Sequence, residues 1–278
     1  MLRKLSRYLL PMLLVFALAL SSCVTRPLTA PLMLAQTRSA LNRQSGVKAD
    51  VLMEGKAEVS YSGMDFALPL KIKMNTQTAF GQSVTHMSGT VGTSVLGVAL
   101  DFPLEIYTEA ADGEATMYSR LDETAWTKAS QPLNGGVGIG ALIDLGSEIL
   151  SGAVLHDGTT LCEGKECRQI DLTISALAIK QLLGDTAAFT AVTELAGDVP
   201  EDLEMTVSLF IDNETKLPAR ITAACSQAVH VMEYTLSDVK MEIVFTQWGE
   251  PESINIPPEA LVASEQTAAP PLLPGVIS

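Results

Sequence analysis

The chain has 278 residues, with 18 Lys and Arg against 32 Asp and Glu, which gives a formal net charge of −14 at pH 7. This length suits one large domain or two small ones. The acidic excess argues against nucleic acid and against an anionic bilayer surface as electrostatic partners. Any attachment to a membrane must therefore come from apolar groups.

The first 23 residues have the layout of an export signal. A basic start is followed by an apolar run from Leu9 to Leu20, which leads through Ser21 and Ser22 to Cys23. This ending resembles the lipobox of bacterial lipoproteins, which implies cleavage before Cys23 and attachment of lipid to that residue. The alternative is an uncleaved membrane helix, but the apolar run is shorter than the roughly 20 residues that a span needs. We predict a signal peptide over residues 1–22 and a lipid anchor on the extracytoplasmic face of the cell membrane.

A short linker over residues 23–30 is predicted to hold the following domain close to the membrane. Leu34, Arg38 and Leu41 have helical spacing and predict a helix over about residues 31–44, which ends before Gly46. A single domain is expected over residues 31–257. Residues 258–278 are rich in Pro and Ala and are predicted to be a mostly unstructured tail.

The first half of the domain is predicted to be an antiparallel meander of about six strands. Apolar and polar residues alternate from Val47 through Met53, which is typical of a strand with one buried face. Similar runs are separated by turn residues. The predicted strands are Val47–Tyr61, Phe66–Thr78, Ser83–Thr93, Gly97–Glu109, Met117–Arg120 and Ala125–Lys128.

The middle of the chain changes character and predicts helices. Residues from Ile139 to Leu155 are almost wholly apolar and favour a covered helix. A second helix is predicted to be capped by Asp171 or Thr173 and to run to Gly184. A third, shorter helix is expected to contain Phe189, Val192 and Leu195.

Alternation returns in the last third and predicts further strands. Residues 203–211 and 217–221 are expected to pair around a turn. Beyond Gln227 we expect one long strand that continues to Phe245. The apolar parity reverses between Leu236 and Val239, which predicts a β-bulge at residues 237–238.

Cys162 and Cys167 flank a short Gly-containing turn. If this turn joins two antiparallel strands, the two cysteines face each other at a separation that a disulfide can span. A metal site would need two further Cys or His ligands, and His156 is the nearest candidate. We therefore predict a disulfide, while Cys225 is expected to be a buried free thiol.

Residues that would carry catalysis do not form a recognisable motif. His86, His156 and His230 are far apart and lack metal-binding spacing, and the chain contains no GxSxG sequence. The glycine-rich run 135–140 lacks the Lys and Ser or Thr of a phosphate-binding loop. We predict a protein that is not an enzyme, with no metal and no cofactor.

Three segments, 118–128, 209–218 and 249–257, look like landmarks of the LppX/LprG-like lipoproteins and related uncharacterised Gram-positive lipoproteins. The wider group includes the LolA and LolB carriers. This resemblance covers about residues 31–260. It implies an α+β fold in which a curved antiparallel half-barrel wraps a few helices and encloses an apolar cavity for acyl chains. It implies no catalytic residues, and it suggests a lipid or another apolar molecule as the ligand.

Apolar residues of the helical segments and the closing strands are the candidates for lining such a cavity. They are Leu142, Ile149, Leu150, Leu182, Leu183, Val207, Leu209 and Ile243. The alternative is that these side chains fill a closed core. The protein would then be a structural or interaction module of the cell envelope with a protein partner. The sequence distinguishes neither these two cases nor a Gram-positive surface from a periplasmic location.

Overall fold

The computed structural model describes residues 28–61, 64–95, 97–132, 152–175, 203–231, 234–250 and 252–265. These residues contain two helices, α1 (Ala30–Leu41) and α2 (Pro258–Leu261). The strands of the described residues are β1 (Gly46–Tyr61), β2 (Met64–Ala79), β3 (Val84–Val95), β4 (Val98–Ala111), β5 (Glu114–Leu121), β6 (Thr127–Pro132), β7 (Val154–Leu155), β8 (Thr160–Cys162), β9 (Lys165–Ser175), β10 (Glu204–Asp212), β11 (Pro218–Cys225), β12 (Val229–Val231), β13 (Tyr234–Trp248) and β14 (Ser264–Glu265).

In the described part of the chain all fourteen strands join one curved, open sheet. Strands β1 to β6 are a meander, as predicted, and β1 continues the sheet through β13, β11, β10, β9 and β7. Strand β12 pairs with β13, and β8 pairs with β9. The pairings are antiparallel except that of β14 with β6. The fold is thus dominated by the sheet more strongly than the predicted α+β class implied.

Local signals explain where α1 begins and how it packs. The Thr29 Oγ1 accepts a hydrogen bond from the Leu32 N–H at 3.4 Å, and a proline lies in the first turn. The buried residues recur at helical spacing on one side: Ala30, Met33, Leu34, Thr37 and Ala40. The predicted helix over residues 31–44 is therefore confirmed, and it ends a few residues earlier than predicted.

The main hydrophobic core lies between α1 and one half of the sheet. Met33 and Leu34 of α1 are 0% and 2% exposed and belong to the same cluster as Leu209 and Ile221 of β10 and β11. Complete burial of such side chains contributes roughly 1.5–3 kcal/mol each. We call the sheet surface that faces α1 the inner face, and the opposite surface the outer face. The core thus covers the inner face of β9 to β11, β13 and the start of β1.

Residues 252–265, the C-terminal strap, lie against the outer face. The backbone oxygen of Glu252 accepts a hydrogen bond from the Gln77 Nε2 at 2.8 Å. Ala260 of α2 is fully buried in a cluster with Tyr107 and Trp126. The first part of the predicted unstructured tail is therefore ordered.

Three predictions about local structure were wrong. Asp171 and Thr173 do not cap a helix, because both lie within β9. The end of the predicted helix 139–155 is strand β7, while residues 139–151 lie outside the described residues. The single long strand predicted after Gln227 is two strands, β12 and β13, which pair antiparallel. The predicted third helix also lies outside the described residues.

The predicted bulge is confirmed. The partner of Glu54 in β13 is Lys240, but the partner of Lys56 is Ser237, so β13 holds an extra residue at this point. Asp238 has a φ of 53°, in the left-handed region. The bulge explains why the apolar parity of the strand reverses there.

Candidate functional site

The inner face of β2 to β5 lies outside the hydrophobic cluster that α1 forms with the rest of the sheet. Each described residue at an inner-face position of these strands is uncharged. None of them belongs to the cluster formed with α1. Examples are Leu70, Ile72, Val91, Leu104 and Ile106. This half of the inner face therefore carries no charged side chains, and part of it is buried, since Leu70 is 7% and Val91 is 2% exposed.

Five methionines form a diagonal line on the inner face of the sheet, which we call the methionine stripe. They are Met241, Met53, Met74, Met87 and Met117, on β13, β1, β2, β3 and β5. Met53 pairs directly with Met241. Met74 lies two residues along β2 from Ile72, the partner of Met53. The stripe thus begins at the edge of the α1 cluster and runs away from it.

The same step of two residues continues across the next strands. Met87 lies two residues along β3 from Gly89, the partner of Met74. Met117 pairs with Thr108, which lies two residues along β4 from Ile106, the partner of Met87. With strands about 4.8 Å apart and two residues spanning about 6.6 Å, Met74 lies about 8 Å from Met53 and from Met87. Met117 lies about 12 Å from Met87, because β4 separates their strands.

The stripe residues are buried to different extents. Met74 is 8% exposed, while the other four are of intermediate exposure. Methionine is unbranched and polarisable, so it fills irregular gaps and adapts to different apolar partners. A line of such side chains can form a closely packed core, and it can also accommodate a flexible apolar ligand.

Three grooves on the outer face of the sheet have both apolar and charged side chains in their walls. One of about 360 Å³ is lined by Asp50, Lys73, Asn75 and Glu242 among others. Two others, of about 280 and 370 Å³, are lined by similar side chains of neighbouring strands. Their charged walls are unsuited to an apolar ligand.

An aromatic and charged cluster holds the outer face beneath the C-terminal strap. The His86 ring stacks on Tyr107 with centroids 4.3 Å apart, and the Tyr107 hydroxyl donates to Glu105 at 3.1 Å. Arg120 donates to the same carboxylate at 2.7 Å and lies over the Trp126 ring. Burial and the hydrogen bond to Glu105 raise the pKa of Tyr107 to about 12. The His86 Nε2 is buried without a hydrogen-bond partner among the described residues and lies 3.4 Å from the Glu105 Oε1. Because Tyr107 and Trp126 pack against Ala260, we assign the cluster to holding the strap.

A second polar network joins β7, β9 and β10. The Asp171 carboxylate contacts the His156 Nε2 at 2.6 Å and accepts from the Gln169 Nε2 at 2.9 Å. Burial acts to raise the pKa of Asp171, but hydrogen bonds from Gln169, Ser208 and His156 outweigh it, and the pKa is lowered. The described residues contain no group of three or more His, Cys, Asp or Glu that could hold a metal ion.

Cys162 and Cys167 are free thiols, buried together with Phe210 and Ala219. They lie diagonally across the β8–β9 hairpin, because Cys162 pairs with Lys165 and Cys167 pairs with Thr160. Burial, followed by a hydrogen bond to the Cys162 thiol, raises the pKa of Cys167 to about 12. The disulfide stays a prediction, and the contact between the thiols is compatible with it.

The residues predicted to line a cavity are only partly within the described structure. Val207 and Leu209 are each 1% exposed in the α1 cluster, and Ile243 packs at its margin. Leu142, Ile149, Leu150, Leu182 and Leu183 lie outside the described residues, as does Cys23. Cavity lining and lipid attachment therefore stay predictions. Across the described ranges no helix is long and apolar enough to span a membrane.

No protein-family model matches the sequence, and no curated protein matches it. Among solved structures, a β-barrel-like protein of the DUF1849 domain from Brucella abortus aligns with 9% identity over 76% of this chain and 99% of its own, with a TM-score of 0.30. A domain from Vibrio parahaemolyticus, described as an outer membrane lipoprotein-sorting protein domain, aligns with 10% identity over 81% and 94%, with a TM-score of 0.24. A LolA superfamily protein from Nitrosomonas europaea aligns with 9% identity over 83% and 96%, with a TM-score of 0.21. At these identities and TM-scores the likeness carries no argument about function, and membership of the LppX/LprG-like group stays a prediction.

Proposed function

We propose that the protein is a lipid-anchored, extracytoplasmic envelope protein that binds an acyl chain or a similar apolar ligand without catalysing a reaction. The observation that carries the proposal is the uncharged inner face of β2 to β5 with its methionine stripe. A bound hydrocarbon chain would lie along this stripe. The lipobox-like sequence before Cys23 supports the envelope location and the anchor.

The energetics favour a hydrocarbon over a charged ligand on this face. Each CH₂ group that leaves water gains about 0.8 kcal/mol, whereas an unpaired charge on the same surface would lose its hydration. Methionine side chains can follow a flexible chain with little strain, because they rotate about three bonds. The inner face would thus favour apolar ligands in general more than a ligand of one particular shape.

The alternative is an interaction module of the envelope with a filled core. The observation in its favour is that α1 already packs tightly on half of the inner face, with Met33 at 0% exposure. Leu70, Met74 and Val91 of β2 and β3 are also buried, and if the rest of this half of the inner face is covered in the same way, the methionines are ordinary core residues. The two functions then differ in whether the stripe responds to a ligand.

Nuclear magnetic resonance of the mature chain labelled at the methionine methyl groups separates these cases. Palmitate, added below the concentration at which it forms micelles, is expected to shift the signals of Met53, Met74, Met87 and Met117. The signal of Met33 is the internal control and stays in place, because this side chain is enclosed in the α1 cluster. Single Met→Leu variants assign the signals with little change in volume.

A pair of variants tests the site by affinity. Met74→Gln places an amide on the apolar face and is expected to weaken palmitate binding about tenfold, since a poorly paired buried amide costs about 1–3 kcal/mol. Lys73→Gln, the matched control on the outer face of the same strand, leaves the affinity unchanged. Unshifted methionine signals in the presence of saturating palmitate would contradict ligand binding on the inner face.

The anchor has its own test. Cys23→Ala removes the residue that would carry the lipid, so the protein is expected to leave the membrane fraction. With the acidic excess of this chain, no electrostatic attraction to anionic lipid replaces the anchor. A Cys23→Ala protein that stays membrane-bound with residues 1–22 attached would show that the apolar run itself is the anchor.

A further inference from the structure

One half of β4 is a sheet edge in the described structure. Strand β4 pairs with β3 from Val98 to Glu109. Its pairing with β5 begins only at Leu104. Within the described ranges, residues 98–103 therefore have a strand on one side only.

The hairpin geometry determines which backbone groups face outward. Val95 pairs with Val98 around a two-residue turn, so the N–H and C=O of Val98 point towards β3. The groups of alternate residues, Ala99, Asp101 and Pro103, point away from β3. The Pro103 oxygen confirms this direction, because it accepts a hydrogen bond from the Asp122 N–H at 2.6 Å. The outward N–H and C=O groups of Ala99 and Asp101 are thus available for another strand.

The side chains of this edge are mostly apolar. Val98 is 62% exposed, and Leu100 and Phe102 share its face of the strand. Long apolar edges normally carry charges or bulges that prevent pairing with other chains. The one charge here, Asp101, lies over Gly92 of β3, where its Oδ1 is 2.5 Å from the position of an added Cβ. The carboxylate is therefore drawn back over the sheet and leaves the edge open.

We propose that this edge pairs with the same edge of a second copy of the chain, antiparallel about a two-fold axis at Leu100. Val98 of one copy then faces Phe102 of the other, and Leu100 faces its own equivalent. The apolar residues of one face meet only apolar residues. Ala99 of each copy faces Asp101 of the other, and the pair exchanges four backbone hydrogen bonds.

Neighbouring registers are excluded by charge and by turn geometry. Centring the axis on Asp101 would place two carboxylates directly opposite each other, and it would pair Ala99 with Pro103, which has no N–H. Centring it on Ala99 would place Asp101 opposite Gly97, which has a φ of 83° in the turn. The register centred on Leu100 is the one that satisfies both backbones, and this self-complementarity favours a second copy over an unrelated strand.

Pairing is expected to be weak in dilute solution and stronger on a membrane. Five paired residues bury much less than the roughly 1,200 Å² of a stable interface. Chains confined to one surface meet at a much higher effective concentration. The expected strengthening on a membrane rests on the lipid anchor of the proposed function, whereas the geometry of the β4 edge does not depend on the anchor.

Cysteine crosslinking of the lipidated protein in vesicles tests the register. Leu100→Cys places a thiol opposite its own equivalent, so mild oxidation is expected to give a covalent dimer on non-reducing electrophoresis. Ala99→Cys is the matched control one residue away, and it does not face itself. The wild-type protein under the same oxidation accounts for the native cysteines. Crosslinking of Ala99→Cys as efficient as that of Leu100→Cys would overturn the register.

A backbone variant tests the hydrogen bonds. Ala99→Pro, combined with Leu100→Cys, removes one outward N–H from each copy and leaves the pairing with β3 intact. Two lost hydrogen bonds are expected to weaken the pairing about 30-fold. Unchanged crosslinking in this variant, or none in folded and anchored Leu100→Cys protein, would overturn the proposal. If the chain proves not to be anchored, crosslinking that rises with concentration in solution still supports the edge contact, and its absence at high concentration refutes it.

Discussion

Asp212, at the turn between β10 and β11, provides a quantitative test of what holds this sheet together. This residue is 5% exposed, and its Oδ1 accepts hydrogen bonds from the N–H groups of Glu214 at 2.8 Å and Thr215 at 3.2 Å. The substitution Asp212→Ala removes both bonds. Hydrogen bonds to a charged group contribute about 1.5–3 kcal/mol each, but both donors belong to exposed residues and can be rehydrated. We therefore expect a loss of about 2 kcal/mol in the free energy of unfolding.

The stability difference between the wild type and Asp212→Ala is expected to depend on pH, and the pKa of Asp212 gives the direction of that dependence. Burial acts to raise the pKa of Asp212, but the hydrogen bonds from Glu214 and Thr215 and the nearby charge of Lys165 outweigh it, so the pKa is lowered. A carboxyl with a lowered pKa in the folded state stabilises the protein above its unfolded pKa of about 3.9. This contribution is lost as the pH falls through the folded pKa. The gap between wild type and Asp212→Ala should therefore narrow in acid.

Urea unfolding followed by tryptophan fluorescence measures both quantities. The Trp248 Nε1 donates to the Pro218 oxygen at 3.0 Å, so this ring reports on the strand that follows the turn. Glu214→Gln is the matched control, because it keeps the backbone N–H and changes only an exposed carboxylate. An Asp212→Ala protein as stable as this control at pH 7, or equally destabilised far below pH 4, would refute the reasoning.

Three further predictions concern packing. Leu34→Ala, at 2% exposure in the α1 cluster, should cost about 2–5 kcal/mol, whereas Leu32→Ala on the exposed side of α1 should cost under about 0.5 kcal/mol, both measured by urea unfolding. Ala260→Leu overpacks a fully buried site by about 1–3 kcal/mol and should make the C-terminal strap more sensitive to limited proteolysis; a resistant variant would show that the strap is not held there. If Cys162 and Cys167 form a disulfide, reductant should lower the unfolding free energy of the oxidised protein by about 2 kcal/mol and have no effect on the double serine variant.

The strands of the first half could be predicted because their pattern is local. Residues 47–53 alternate strictly, and short turns separate each strand from the next, so neighbours along the chain are neighbours in the sheet. The bulge at residues 237–238 was visible in the same way, since an extra residue reverses the parity of everything after it.

The middle of the chain was misjudged where strands pair with partners far away in sequence. Asp171 looked like a helix cap, but it lies in β9 opposite Ser208 of β10, and its carboxylate contacts Ser208, His156 and the neighbouring Gln169. Val154 and Leu155 looked like the end of an apolar helix, but they pair with β9. Periodicity cannot reveal such pairing, because the partner strand decides whether a short apolar run becomes strand or helix.

For the methionine stripe, the local pattern predicts which face each side chain occupies, and the tertiary pairing decides how the side chains line up. The inner-face parity of Met53, Met74, Met87 and Met117 follows from alternation within each strand. Their alignment in one diagonal follows from the pairing registers of β1 with β2, β2 with β3, β3 with β4 and β4 with β5.

The sequence by itself determined α1, the meander and which side of each strand is apolar, because these depend on residues close together in the chain; the export signal stays a prediction from the same kind of local pattern. Only the tertiary structure decided the insertion of β13 beside β1, the exposed half of β4 and the line of the stripe. These features depend on which strands pair and in what register. A shift of one residue exchanges the two faces of a strand, so the set of pairings that buries the apolar faces together is selected over the whole sheet.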